Sequence, residues 1–101
     1  MRSKQLLDLR PEHARIVRSI LDRYVPGTEV WAFGSRATGK ARPMSDLDIV
    51  IRAEKSVDDL ILAEMREAFS ISSLPMKIDV LDWSILDAAM RVRIEQEHIV
   101  L

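Results

Sequence analysis

Cysteine is missing altogether from this chain of 101 residues. Its absence excludes a disulfide framework and thiolate metal sites, and it fits a reducing compartment. Long apolar runs are missing too: no stretch approaches the ~20 residues needed to span a bilayer. The opening segment, Met1 to Asp8, lacks the apolar core of a signal peptide. Charge of one sign is scarce. A formal net charge of -1 leaves no basic footprint for broad nucleic-acid binding. Internal repeats, low-complexity tracts and linkers do not occur either. What remains is the expectation of one soluble, cytoplasmic domain over residues 1–101, large enough for a single core and too small for two. Hydrophobic content of 48% and charged content of 31% agree with a globular fold.

The patterning predicts α/β (α+β) architecture. Pro11 suits a first helical position, and Ile16, Val17, Ile20, Leu21 and Tyr24 follow at helical spacing until Pro26-Gly27 ends the run. Glu29 to Phe33 reads as a short strand that stops at Gly34. Residues 35–39 fit one helical turn, 41–44 a loop marked by Pro43, and 45–52 a second strand. Ser56 with Asp59 resembles a capping pair, opening a helix with Val57, Leu60, Ile61, Met65 and Ala68 turned inward. Lys77 to Leu81 reads as a third strand. Ser84 with Asp87 starts a last helix, with Ile85, Leu86, Ala89, Met90 and Ile94 inward, and Ile99 to Leu101 forms a short extended piece. The expected order is α-β-(short α)-β-α-β-α, a mixed three-stranded sheet with helices packed on it.

Asp46 and Asp48 pose the functional question, because they stand at the mouth of the apolar run Leu47, Ile49, Val50, Ile51. Side chains two apart on a strand share a face, about 6–7 Å apart. The pair therefore lies opposite Leu47, Ile49 and Ile51. Two carboxylates at that spacing either sit solvated at an exposed strand start or share a hard divalent cation such as magnesium. Gly34-Ser35 is a weak signal alone, readable as a plain turn. It also leaves backbone N–H groups and a hydroxyl that suit phosphate oxygens. A connector this short most simply makes the first two strands antiparallel neighbours, which puts cradle and carboxylates at one end of the sheet. The helix from Ser56 makes a crossover, so the third strand runs parallel to the second and brings Asp79 level with Asp46 and Asp48. Asp79 is then placed to share the metal or to take a proton from an attacking hydroxyl. Asp82 competes for that role, but it points to the opposite face at the strand's exit.

Gly34-Ser35, ten intervening residues, Asp46-Leu47-Asp48 and the later strand aspartate Asp79 together resemble the minimal nucleotidyltransferase (MNT) family, a branch of the DNA polymerase β-like superfamily. The resemblance covers nearly the whole chain. It implies magnesium-dependent transfer of a nucleoside monophosphate from a nucleoside triphosphate, ATP foremost, to an acceptor hydroxyl. It implies Asp46, Asp48 and Asp79 as metal-holding and catalytic carboxylates, with Gly34 and Ser35 on the triphosphate and Ser45 beside them. Arg36, Lys40 and Arg42 are read either as phosphate contacts or as solvated loop charges. Many relatives carry Gly-Ser-x-Ala-Arg-Gly, and Thr38 stands here where that arginine falls. Larger relatives add an acceptor-binding domain, which this chain does not show, so a protein partner is expected to supply the acceptor. The resemblance names that partner as a HEPN-domain ribonuclease toxin, with this chain as antitoxin; homo-oligomers are compatible with it. A non-catalytic antitoxin that acts by binding, and a nucleotide sensor, are the alternatives.

Trp31 and Trp83 read as packing residues, Met65 and Met90 as core. His13 and His98 are expected at the surface, and Arg91, Arg93, Glu95 and Glu97 on a solvated or partner-facing helix side.

Overall fold

The computed structural model describes residues 6–101; residues 1–5, part of the segment read above for a signal peptide, lie outside them. Helix α1 runs Pro11–Tyr24, with Pro11 in its first turn, and buries Val17 and Leu21. Strand β1 (Glu29–Phe33) leads into the one-turn helix α2 (Ser35–Thr38). Strand β2 is Leu47–Arg52, α3 is Asp59–Ser70 and β3 is Ile78–Asp82. A 3-10 turn over Trp83–Ile85 precedes α4 (Ala88–Glu97), and β4 (Ile99–Val100) closes the chain. Among the described residues no helix is long and apolar enough to cross a membrane.

The sheet has four strands in the order β3-β2-β1-β4, not three. Ile99 and Val100 pair antiparallel with Ala32 and Trp31, and the amide of Leu101 donates to the carbonyl of Val30 at 2.9 Å. Two paired residues are too few for alternation to show in a sequence, which is why the extended piece did not count as a strand. The β1–β2 pair is antiparallel, with Phe33 opposite Asp48. The β2–β3 pair is parallel, with Asp48 opposite Asp79. Both directions agree with the expectation.

Alternation along β2 divides the core in two. Leu47, Ile49 and Ile51 are fully buried under α1 and α3, in a cluster with Val17, Leu21 and Met65. Each such side chain contributes about 1.5–3 kcal/mol when removed from water. On the other face Val50, Phe33, Trp83 and Ile94 form a smaller cluster beneath α4. Toward the chain start of β2 that cluster gives out, and Asp48 takes the place of a core residue.

Two helix readings needed correction. Asp58, not Ser56, caps α3, accepting from the amides of Leu60 and Ile61. The buried line is Leu62, Met65 and Phe69, while Leu60 is 65% exposed. Met65 belongs to both lines, but Leu62 and Phe69 replace Ile61 and Ala68, a turn of the inward face by about 100°. Likewise Asp87 caps α4 by accepting from the amide of Met90, and Ser84 belongs to the preceding 3-10 turn. Ile85 and Ala89 are exposed there; Ile94 is buried, with Leu86 and Met90 packed beside it.

Candidate active site

Gly34 ends β1 with φ 77° and ψ -157°, a conformation that side chains disfavour. Space enforces the same choice. A Cβ on Gly34 would collide with the Asp48 carboxylate and stand 3.3 Å from its Cγ. The glycine turn and Asp48 are therefore in contact, at the one end of the sheet where the sequence led one to expect both. The Gly34 carbonyl accepts from the amides of Ala37 and Thr38 at 3.0 and 3.1 Å, and from the Thr38 hydroxyl at 3.2 Å. Thr38 thus closes the turn that Gly34 opens. The amides of Ser35 and Arg36 begin this helical turn, where no intrahelical acceptor is available.

Asp48 and Asp79 sit directly across the β2–β3 ladder on the α4 face. Burial, then the charges of Asp79 and Asp46, raise the Asp48 carboxyl from 3.8 to about 6; a hydrogen bond with Asp79 adds to the rise and the Arg93 guanidinium opposes it. Crowding is thus expressed on the most enclosed member of the set. Lys77 lies 3.4 Å from Asp79, as an exposed pair. Beside these carboxylates an open groove of about 850 Å³ runs along β3, lined by Phe33, Asp48, Asp79, Met90 and Arg93 among others.

The donor set suits magnesium. It is all oxygen, carries excess negative charge and keeps room for water, which that ion retains. Two of the three carboxylates, Asp48 and Asp79, already stand opposite one another across the ladder. Asp46 is exposed just before β2, and among the described residues no group of three acidic side chains or histidines stands close enough to hold a metal. The set is poised, not closed; a cation would have to draw Asp46 inward.

The loop cations divide. Arg36 is only 5% exposed and donates from Nε, Nη1 and Nη2 to the carbonyls of Ser45, Asp8 and Pro43 at 3.0, 2.9 and 3.0 Å. It is a tie for the 43–45 loop, buried with three of its five N–H groups held by carbonyls, which argues against the phosphate role read for it. The Ser45 hydroxyl accepts from the Arg42 amide at 2.8 Å, so it shapes the turn after α2. Lys40 and Arg42 are exposed. Asp82 points to the α3 face and is 4% exposed. It accepts from the amides of Val57 and Ser84 at 2.9 and 3.0 Å and from the Ser84 hydroxyl at 2.8 Å, a structural carboxylate as the parity of β3 requires.

Sequence reasoning passed over two residues of α4. Glu97 accepts from the Gly34 amide at 3.1 Å and lies 3.5 Å from Arg93 Nε. The i,i+4 spacing of that pair was visible, yet only β4 pairing with β1 brings the end of α4 to the glycine turn. His98 is not a plain surface residue: its ring stacks on Trp31 at 3.8 Å. Trp31 meets Trp83 edge-on at 5.4 Å, which bears out their reading as packing residues.

Comparison with known proteins agrees with this fold. Residues 14–101 match the family profile described as a nucleotidyltransferase domain. The chain is 43% identical over 101 residues to the probable protein adenylyltransferase MntA of Haemophilus influenzae, covering 100% of this chain and 89% of that protein. Among solved structures, a toxin–antitoxin complex with AMP-PNP superposes with a TM-score of 0.71 at 20% identity, over 85% of this chain and 69% of that one. The MNT antitoxin complex with the tri-AMPylated HEPN toxin of Shewanella oneidensis gives 0.63 at 17% identity, over 85% and 66%. At such identities the structural matches establish the fold alone. The profile over most of the chain and the end-to-end relative go further: this chain is a minimal member of the nucleotidyltransferase domain family.

Proposed function

We propose that the protein is a magnesium-dependent nucleotidyltransferase that moves AMP from ATP to a hydroxyl of a partner protein, acting in the cytoplasm as antitoxin to a HEPN-domain ribonuclease toxin. The observation that carries the chemistry is Asp48 set opposite Asp79 in the β2–β3 ladder with Gly34 backed against its carboxylate. The partner rests on the names of similar proteins: a protein adenylyltransferase by sequence, and an antitoxin bound to an AMPylated HEPN toxin by fold.

On this reading Asp46, Asp48 and Asp79 hold the divalent cation. When bound, it neutralises phosphate charge and lowers the barrier to attack at phosphorus. The turn at Gly34 and Ser35 takes triphosphate oxygens through its amides and hydroxyl. Exposed Lys40 and Arg42 add charge from the loop. Asp79, on the groove side of an edge strand, receives the proton of the acceptor hydroxyl as that oxygen bonds to the α-phosphorus. The bond between the α-phosphorus and its bridging oxygen breaks, and pyrophosphate leaves with the electron pair.

The test is label transfer from alpha-labelled ATP, with magnesium, to the partner that co-purifies. Asp46→Asn combined with Asp48→Asn should abolish labelling while the far-ultraviolet dichroism stays unchanged. Labelling that persists in the double variant rejects the site. A second reading is favoured by the open carboxylate set: an antitoxin that neutralises its partner by occlusion alone. In that case the same double variant would still protect cells from the toxin.

A further inference from the structure

Family resemblance draws attention to the α2 loop as the source of phosphate-binding cations, but the structure supplies charge from elsewhere. Arg36 is consumed by three carbonyls, and Thr38 brings no charge. Around the groove, Arg66 donates to the Val80 carbonyl at 2.6 Å and Lys77 is drawn to Asp79. Arg93 differs from these. It lines the same groove as Asp48 and Asp79, and its ion-pair partner Glu97 is the residue bonded to the Gly34 amide. The guanidinium therefore stands close to both parts of the site, the glycine turn through Glu97 and the carboxylates across the groove. It is also 63% exposed, so it can exchange a weak ion pair for a ligand at little cost.

We propose that Arg93 on α4 is a triphosphate-binding residue of this site, taking over from the loop the cation that contacts the β- and γ-phosphates and the departing pyrophosphate. The inference rests on the nucleotidyltransferase reading of the site and adds a residue to it. Without ligand, Arg93 divides its charge between Glu97 and the carboxylate cluster; its influence already opposes the rise in the Asp48 carboxyl. Once a cation balances the carboxylates, the guanidinium is released toward phosphate oxygens, which its planar fork matches in pairs. Glu97 holds the guanidinium close to the glycine turn, where those oxygens would lie.

The experiment is calorimetric titration of the full chain with ATP, ADP and AMP, each with magnesium, for wild type, Arg93→Ala, Arg93→Lys and the control Arg23→Ala on α1. Losing a charge-assisted contact to phosphate should weaken ATP binding about ten-fold or more in Arg93→Ala. ADP should weaken by less, and AMP hardly at all. Lysine should restore part of the loss, and the control should match wild type. Arg93→Ala binding ATP as tightly as wild type, or losing AMP and ATP affinity equally, overturns the proposal. Wild type that binds no ATP with magnesium removes the parent reading as well; intact wild-type binding with an indifferent Arg93→Ala removes this inference alone.

Discussion

Asp82 and Asp48 lie on neighbouring strands and face opposite sides of one sheet, and their surroundings could hardly be less alike. Asp82 is 4% exposed but receives three hydrogen bonds, from Val57 and twice from Ser84. Asp48 is half-buried, faces another carboxylate across the ladder and sits against a glycine instead of a donor. One carboxylate is saturated by its own fold; the other is left with charge to spare. The difference separates an aspartate that builds structure from one that waits for a ligand, although both stand in strands and both looked costly in sequence.

The contrast is sharpest at Gly34. Gly34→Ala adds an unfavourable positive φ to a collision with the Asp48 carboxylate, and should cost about 2–4 kcal/mol in denaturant melts. If the loss is small, the close approach of turn and carboxylate is not as described. Asp82→Ala should come next. It strands the buried amides of Val57 and Ser84, for about 2–3 kcal/mol in the same assay. At the acidic rim the sign reverses. The folded state raises the Asp48 carboxyl from 3.8 to about 6, so the native protein binds more protons than the unfolded chain between those values. Stability is therefore lost as pH climbs through that window and stays reduced above it. Asp48→Asn without metal should melt higher than wild type at pH 7 to 8, and the two should converge toward pH 4. A lower melting point for Asp48→Asn at pH 8 would place the residue with Asp82, among carboxylates the fold needs. The smallest shift belongs to Asp79→Asn, a more exposed member of the same pair: a slight rise in melting temperature and a drop of the Asp48 carboxyl toward its ordinary value, measured by NMR titration.

How much of this could be read beforehand depends on how local each feature is. The facing of Asp48, the crossover that aligns Asp79 with it, and the opposite orientation of Asp82 all follow from strand periodicity and connection rules, and they hold in the structure. The starts of α3 and α4 were misplaced because Asp58 and Asp87 outcompeted Ser56 and Ser84 as caps, and the inward stripe shifted in α3, while Leu86, Met90 and Ile94 hold around α4. Arg36 was misjudged because nothing local reveals that the backbone at residues 8, 43 and 45 turns its carbonyls toward one guanidinium. Arg93 and Glu97 were hidden for a similar reason: their place at the glycine turn depends on β4, a strand of two residues.

A magnesium titration followed by thermal unfolding, run from pH 5 to pH 8 on wild type and Asp48→Asn, bears most directly on the reading of the acidic rim as a cation site. Wild type should gain melting temperature with magnesium at pH 8 and lose that gain as pH falls through about 6, because the proton and the cation compete for one carboxylate. Asp48→Asn should show little gain at any pH. An equal gain in both proteins, or none in wild type at pH 8, would contradict it.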